Sequence, residues 1–312
     1  MSDFGLPLRD HIHPEVDDIG DRLCRWAARV GLITTDAAER RLRGAGFHEV
    51  TAMVLPDDPA ETVELYAQWI TVLFHLDDEQ DDDADRSPES VREVYAAITA
   101  LMLGRPVLVG SPLMSALTDL WPRTTAGMSV RWRDRVIANL HRHRDAFLTQ
   151  IAHREAGTLP TPEEYPALRR ESNGMFMFDV IESACGTEVP EPLVSGEAWT
   201  ELCAASNDLT AWCNDIRSLA KESANEEPTN YVTVLREAHA CTEGEAIAEV
   251  RNQILQRQKE LDQAAAEVRD QLSGQPEDLR ARIGHLTDVI AHIPGGHAAW
   301  LDTSARYRPP AA

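Results

Sequence analysis

Apolar residues recur every three or four positions along almost the whole chain, and this helical periodicity limits the possible folds more than any other feature. No segment shows the strict alternation of apolar and polar residues that is typical of a half-buried strand. The segments between the periodic stretches are short, so no domain boundary is evident. We therefore predict an all-α, single-domain helical bundle over residues 1–312, with flexible tails at 1–20 and 308–312.

Several helix boundaries follow from local signals. A Ser-Pro pair at 87–88 places a capping residue before a proline, which predicts a helix start. Gly174 lies inside an apolar segment, where glycine weakens a helix, so we expect a break at 171–175. The Pro-Gly-Gly sequence at 294–296 predicts another break, before a short last helix. Long helices are predicted over 129–155, 198–224 and 244–273.

The charge balance and the cysteine pattern exclude some classes of function. Acidic residues outnumber basic ones by 52 to 30, whereas a nucleic-acid-binding surface needs a basic footprint. The five cysteines form no C-x-x-C pair, which indicates a reducing compartment rather than a disulfide framework or a zinc site. The chain begins without a signal-peptide pattern and contains no apolar run long enough to span a membrane. We therefore expect a cytoplasmic protein.

The stretch WCNDIRSLAKES, at 212–223, carries polar groups at every fourth position of a predicted helix. Asn214, Ser218 and Glu222 follow i, i+4, i+8 spacing and so form one stripe on the helix. Asn and Ser are mediocre helix formers, which argues against an ordinary solvated face. The property that the three share is a short, oxygen-bearing side chain. Such a stripe is suited to holding a cation.

A second acidic motif ends another predicted helix, in the sequence WITVLFHLDDEQDDDAD at 69–85. Asp77 and Asp81 lie on one helix face, and Asp78 lies about 100° around the axis. Like charges at this spacing repel, and the C-terminal end of a helix disfavours anions. Divalent cations remove both penalties, and Mg²⁺ commonly joins one or two carboxylates to phosphate oxygens. A solvated acidic loop is the alternative interpretation of this motif alone.

The two motifs together predict a diphosphate site. If they face each other across one cavity, they can hold several Mg²⁺ ions that absorb the charge of a departing diphosphate. Three further residues can donate hydrogen bonds to the same oxygens, namely Lys221, Arg306 and Tyr307. Other candidates are weaker: the histidines at 75, 141, 143, 153, 292 and 297 lack a metal-binding spacing and are interpreted as surface or satisfied core residues.

With these motifs in this order, the chain resembles a class I terpene synthase (terpene cyclase) of the bacterial type. The resemblance rests on DDEQD at 77–81, NDIRSLAKE at 214–222 and RY at 306–307, with Trp300 shortly before the last pair. It implies a helical bundle with a central active-site cavity, a prenyl diphosphate substrate and three Mg²⁺ ions. The implied metal ligands are Asp77, with Asp78 or Asp81, and Asn214, Ser218 and Glu222; the implied diphosphate donors are Lys221, Arg306 and Tyr307.

The resemblance also implies a diphosphate-sensing arginine followed by a linker and a glycine at a helix break. RRESNG, at 169–174, supplies Arg170, Asn173 and Gly174 for these roles. Asn173 departs from the aspartate usual in the family, and Arg169 is the alternative sensor.

The implied reaction ionises an allylic diphosphate and leaves a carbocation in a dry pocket, where aromatic faces can stabilise it. Phe74 is the favoured aromatic because it lies one turn before Asp77. The other candidates are Phe176, Phe178, Trp212 and Trp300. For all five, Phe74 included, core packing is the competing interpretation, since an aromatic on an apolar helix face is usually part of the core.

Three functional hypotheses remain open from the residues. The first is a terpene cyclase, for which the resemblance favours farnesyl diphosphate, then geranylgeranyl diphosphate, and implies a homodimer. The second is a chain-elongating prenyltransferase, which should carry a second Asp-rich motif where this chain has NDIRS. The third is a non-enzymatic, acidic helical interaction protein, which does not explain the polar stripe together with the C-terminal RY pair.

Overall fold

The computed structural model describes residues 2–9, 11–81, 87–224 and 229–307, and within these ranges it leaves the side chains of 78–81, 221 and 223–224 undescribed. The described residues form helices and no strand. The helices are α1 (Val16–Val30), α2 (Asp36–Ala45), α3 (Phe47–Val54), α4 (Ala60–Asp81), α5 (Pro88–Met102), α6 (Pro112–Thr124), α7 (Val130–Ala156), α8 (Tyr165–Ser172), α9 (Phe176–Ala184), α10 (Glu191–Val194), α11 (Glu197–Ala224), α12 (Tyr231–His239), α13 (Glu243–Gln271) and α14 (Glu277–Thr303). A 3₁₀ turn, Ala305–Tyr307, follows α14.

Two long helices organise the bundle. Helix α11 packs against α13 and α14, and α4 packs against α1, α3, α6 and α9. Large side chains fill the space between the helices of the bundle, because burying apolar surface is the main driving force for packing helices together. The largest fully buried side chains are Trp69, Trp132, Trp300, Tyr95 and Tyr165. The predicted all-α class is therefore confirmed. None of the described helices is both long and apolar enough to cross a membrane.

Most helix boundaries match the local signals in the sequence. Ser87 caps α5, and its side chain accepts a hydrogen bond from the Ser90 amide. The three predicted long helices correspond to α7, α11 and α13. The predicted break at 171–175 is present between α8 and α9, where Gly174 has a φ of +89°. This conformation strains any residue with a side chain, so glycine is needed there.

The predicted break at the Pro-Gly-Gly sequence of 294–296 is wrong. Helix α14 continues through it to Thr303. The glycines serve close packing instead, because a Cβ atom on Gly295 would lie 1.8 Å from the carbonyl oxygen of Pro7. A Cβ on Gly296 would lie 3.0 Å from Cγ2 of Val54. These glycines let the N-terminal segment and α3 approach the backbone of α14.

The N-terminal segment differs from the flexible tail expected over 1–20. Leu6 is completely buried, Phe4 is 4% exposed and α1 begins at Val16. The guanidinium of Arg251 lies 5.2 Å from the centre of the Phe4 ring, and its Nη1 donates to the Asp3 carbonyl at 2.8 Å. Apolar burial and these contacts hold residues 3–7 against the bundle. The tail expected at 308–312 lies outside the described residues.

Candidate active site

A cavity of about 640 Å³, counting its open mouth, lies between α3, α4, α9, α11 and α14. Its apolar walls include Ile70, Leu73, Phe74, Met177, Phe178 and Trp300. Its polar lining groups are Thr51, Tyr66, Asn173, Asn207, Thr210 and His297. Such a pocket can enclose a hydrocarbon chain and offers few groups that would react with it.

The polar stripe on α11 forms part of a connected network. Asn214 donates from Nδ2 to the Tyr307 hydroxyl at 2.7 Å and accepts at Oδ1 from Arg169 at 3.2 Å. The buried Ser218 hydroxyl donates to the Asn214 carbonyl oxygen at 2.8 Å. Glu222 accepts a hydrogen bond from Asn230 at 2.7 Å. The predicted stripe is thus a row of oxygen atoms held in place by hydrogen bonds.

Glu222 is an unusual carboxyl group because of its surroundings. Its pKa is raised to about 6, first by burial and then by the nearby Asp215 charge, against the lowering effect of hydrogen bonds from Ser218 and Asn230. A bound cation would offset this desolvation cost by favouring the ionised form. The donor set of Asn214, Ser218 and Glu222 is made of oxygen atoms, which fits a hard divalent cation such as Mg²⁺.

Asp77 and the α11 stripe both affect the titration of Tyr307. The pKa of the Tyr307 hydroxyl is raised to about 12, chiefly by burial and with smaller contributions from the charges of Asp77 and Glu222, while the Arg306 charge and the hydrogen bond with Asn214 lower it. Asp77 occupies the C-terminal end of α4, one turn after Phe74, which lines the cavity. The side chains of Asp78, Asp81 and Lys221 lie outside the described part of the chain.

The adjacent arginines of α8 point to different partners. Arg169 donates from Nε to Oδ1 of Asp215 at 2.9 Å, besides its contact with Asn214. Burial opposes its charge, but Asp215, Tyr165 and Glu222 hold its pKa well above the ordinary value. Arg170 instead pairs with both carboxylate oxygens of Asp208, at 2.8 and 2.7 Å. The structure therefore brings Arg169, and not Arg170, to the α11 stripe.

The residues after these arginines form the wall of the cavity at the helix break. Asn173 donates to Oδ1 of Asn207 at 2.5 Å, and Asn207 donates to the Arg170 carbonyl at 2.8 Å. A Cβ on Gly174 would lie 3.3 Å from Cδ1 of Leu73 on α4. Both Asn173 and Gly174 line the cavity, so the break predicted from sequence is one of its walls.

The C-terminal turn closes one side of the site through aromatic contacts. The Tyr307 ring packs edge-on against Trp300, with ring centres 5.5 Å apart. The Arg306 guanidinium lies 4.7 Å from the centre of the Phe74 ring and 5.9 Å from that of Phe47. Trp300 donates from Nε1 to the Ala45 carbonyl at 2.7 Å. These contacts place the RY pair beside Asn214 and the cavity.

The other predicted aromatics separate into two groups. Phe178 and Trp300 line the cavity. Phe176 packs against His143, with ring centres 5.4 Å apart, and Trp212 packs at the same distance from Tyr231. Phe176 and Trp212 therefore have the packing contacts expected of core residues.

Three residues of the site were missed from the sequence. Phe47 stacks on Phe74 at 4.7 Å, and Asn207 holds the helix break. Phe47 follows the glycine that ends α2, and Asn207 lies two turns before Asn214, but neither pattern is distinctive. His297 lines the cavity, and burial lowers its pKa to about 3. Its Nδ1 is buried without a hydrogen-bond partner among the described residues, so it is not a satisfied core histidine.

Known proteins are similar to this chain in sequence and in fold. The chain is 28% identical to pristinol synthase of Streptomyces pristinaespiralis, with 97% of this chain and 83% of that protein covered. It is also 28% identical to a Saccharothrix espanaensis (−)-β-caryophyllene synthase described as cyclising (2E,6E)-farnesyl diphosphate, over 80% of this chain and 72% of that protein. The crystal structure of germacradien-4-ol synthase from Streptomyces citricolor superposes with a TM-score of 0.82 at 26% identity, covering 96% of this chain and 98% of that one.

The family model for terpene synthase family 2, C-terminal metal binding, matches residues 68–260. This range includes Asp77 and the whole Asn214–Glu222 stripe. The relatives are terpene synthases, and the chain is an enzyme of the same kind. The resemblance inferred from the motifs is thereby confirmed, and the chain belongs to terpene synthase family 2.

Proposed function

We propose that the chain is a magnesium-dependent cyclase that converts farnesyl diphosphate to a cyclic terpene and releases inorganic diphosphate. The observation that carries this proposal is the α11 stripe, which is hydrogen-bonded to Tyr307 and Arg169 beside an aromatic, mostly apolar cavity. The name of the caryophyllene synthase relative supports farnesyl diphosphate as the substrate. Geranylgeranyl diphosphate is the second candidate.

The ends of α4 and α11 supply the residues that would hold Mg²⁺ in this proposal. Asp77 belongs to the first motif, and Asn214, Ser218 and Glu222 belong to the second. Bound Mg²⁺ neutralises charge that develops on the departing diphosphate. The raised pKa of Glu222 supports a role in cation binding, because a cation favours the ionised carboxylate.

Cationic side chains position the diphosphate in the same proposal. Arg169 is already oriented toward Asn214 by Asp215, so its guanidinium can donate to diphosphate oxygens with little reorganisation. The Tyr307 hydroxyl lies against the amide nitrogen of Asn214, and this hydroxyl and the neighbouring Arg306 can donate to the same group. We therefore assign the sensing role to Arg169 in place of Arg170, whose guanidinium is committed to Asp208.

The cavity then controls the carbocation. Phe74, Phe178 and Trp300 present aromatic surfaces that stabilise a cation more strongly when water is excluded. The Arg306 guanidinium lies 4.7 Å from the centre of the Phe74 ring, and this contact supports a cation-stabilising role for the ring. Cyclisation needs the hydrocarbon chain to be folded before ionisation, and the apolar walls supply that shape.

Incubation with separate prenyl diphosphates tests this proposal. Purified protein is mixed with Mg²⁺ and either farnesyl or geranylgeranyl diphosphate, and extracts are analysed by gas chromatography with mass spectrometry. We expect a cyclic product from farnesyl diphosphate, equimolar inorganic diphosphate and no product after chelation of Mg²⁺. Product from geranylgeranyl diphosphate alone overturns the substrate assignment. Longer prenyl diphosphates, formed when isopentenyl diphosphate is added, overturn the cyclase assignment in favour of chain elongation.

A further inference from the structure

Three side chains of different chemistry meet far from the cavity mouth. Asp58 lies in the loop before α4, Cys185 directly follows α9, and His285 lies on α14. One potential ligand atom from each lies within 4.8 Å of the other two. Asp58 lies just before the first turn of α4, and Asp77 lies near the end of the same helix. At the rise per residue of an α-helix, the cluster is therefore about 25 Å from the catalytic motif.

The cluster is supported by surrounding contacts. Nε2 of His285 lies 2.8 Å from Oδ1 of Asp58, whose side chain is 8% exposed. The backbone carbonyl of Asp58 is bonded to Nε2 of His13 at 3.0 Å. The hydroxyl of Thr62, in the first turn of α4, donates to the carbonyl of Ala184 at 3.1 Å, next to Cys185. These bonds fix the positions of the loop, α4 and the end of α9 relative to one another.

The donor set is selective for one class of cation. A thiolate sulfur, an imidazole nitrogen and a carboxylate oxygen suit a borderline ion such as Zn²⁺, whereas Mg²⁺ prefers oxygen alone. Three protein ligands leave a fourth tetrahedral position for water. The His285 side chain is 43% exposed, which provides a route for the ion and for that water.

We propose that Asp58, Cys185 and His285 bind a Zn²⁺ ion, separate from the catalytic metals. On binding, the Cys185 S–H bond breaks, its proton goes to solvent and the sulfur keeps the electron pair that it donates to the metal. The ion also displaces the proton between Nε2 of His285 and Oδ1 of Asp58, which goes to solvent, and the neutral imidazole keeps its remaining proton on Nδ1. Binding is therefore accompanied by proton release and needs no oxidant or reductant.

The position of this site predicts a structural role. Helix α4 leads from it to Asp77, α9 leads back to Gly174, and α14 leads to Trp300. One ion would therefore cross-link three walls of the cavity at their far ends. Because an ion that binds only the folded state stabilises it by mass action, Zn²⁺ should raise the stability of the chain and should not perform the reaction.

Cobalt substitution gives a direct test. Co²⁺ bound by a thiolate shows a sulfur-to-metal charge-transfer absorption band, which an oxygen-only catalytic site does not produce. We expect this band in the full chain, its loss in Cys185→Ser and its persistence in the control Cys241→Ser, which removes another partly buried free thiol. Absence of the band in the unaltered chain, or its persistence in Cys185→Ser, overturns the proposal and leaves an Asp58–His285 ion pair beside an inert thiol.

A second variant keeps the proposal testable if Cys185→Ser does not fold. His285→Gln changes a partly exposed side chain and should preserve helix content by circular dichroism. Competition with a chromophoric chelator should show Zn²⁺ binding weakened at least about tenfold, since even the loss of a supporting contact has such an effect. Zn²⁺ should raise the melting temperature of the unaltered chain but not of His285→Gln, under conditions where Mg²⁺ has an equal effect on both. Equal Zn²⁺ affinity in the two proteins overturns the proposal.

Discussion

At the scale of single residues, neighbouring side chains on one helix have different roles because their partners differ. Arg169 and Arg170 are adjacent in the sequence, and successive residues on a helix point about 100° apart. Asp215 draws Arg169 toward the α11 stripe, whereas Asp208 receives Arg170 and also accepts from Arg257 at 2.9 Å. The direction of each guanidinium thus depends on carboxylates that lie about 40 residues further along the chain.

A matched pair of substitutions separates these roles. Arg169→Lys should lower kcat by at least about 100-fold, or about 2.7 kcal/mol in barrier, because lysine lacks the planar fork that reaches both Asp215 and the diphosphate. Arg170→Lys should change kcat less than about tenfold, because Asp208 keeps its bond with Arg257. Steady-state kinetics with farnesyl diphosphate measures both, and circular dichroism controls for folding. The opposite order of effects would assign the sensing role to Arg170.

His297 is the second residue with a specific expectation. Its neutral ring lines the cavity beside Trp300, with ring centres 5.2 Å apart. His297→Phe keeps an aromatic ring but removes both nitrogens, so we expect an altered ratio of products with kcat within about tenfold of the original. The control is His292→Phe on the same helix, whose Nδ1 is bonded to the Asp288 carbonyl and which does not line the cavity. An unchanged product profile in His297→Phe would show that the imidazole has no role in directing the cation.

At the scale of helices, α11 links the fold to the chemistry. One face of it packs on α13 and α14, and another presents Asn214, Ser218 and Glu222. The spacing of these three residues predicted their shared face, because helix geometry depends only on sequence separation. What faces them was not predictable in the same way. The positions of Arg169 and Tyr307 depend on packing between elements that are distant in the chain.

Substitutions along α11 test whether the stripe acts as a unit. Asn214→Ala and Glu222→Ala should each lower kcat by at least about 1000-fold, or about 4 kcal/mol in barrier, because each removes a proposed metal ligand. Both variants should keep their helix content. Glu197→Gln, an exposed change in the first turn of the same helix, is the control and should retain full activity. Activity within about tenfold of the original in either alanine variant would remove that residue from the metal site.

At the scale of the whole molecule, contacts between distant segments explain the wrong predictions. Local propensity suggests that a Pro-Gly-Gly sequence ends a helix, but its glycines instead admit the N-terminal segment to the surface of α14. Residues 3–7 were expected to be mobile but are buried against the bundle. Their burial depends on contacts with α13 and α14, near the other end of the chain, which no local sequence signal indicates. The cluster of Asp58, Cys185 and His285 spans 227 positions in sequence, so no local spacing could indicate it.

The N-terminal contact yields a stability prediction with an internal control. Gly295→Ala should destabilise the fold by more than about 2 kcal/mol, because the new methyl group would overlap the Pro7 carbonyl. Gly284→Ala, in the same helix, meets nothing within 4 Å and should stabilise it by about 0.5–1 kcal/mol through helix propensity. Chemical denaturation measures both. Removing residues 2–8 should abolish the loss of stability caused by Gly295→Ala. If the substitution still destabilises the truncated chain, the steric overlap lies elsewhere.

The 3₁₀ turn at Ala305–Tyr307 has a practical consequence when combined with the buried N-terminal segment. Tyr307 touches Asn214, and Leu6 is sealed in the core, so each end of the described chain is part of the working structure. Fusion partners and affinity tags therefore need spacers that begin before Phe4 or after Tyr307. Circular permutation that joins these ends would constrain the proposed diphosphate site and the contact of Pro7 with α14 together. The exposed turn at Gly274, between α13 and α14, is a better place to open the chain for engineering.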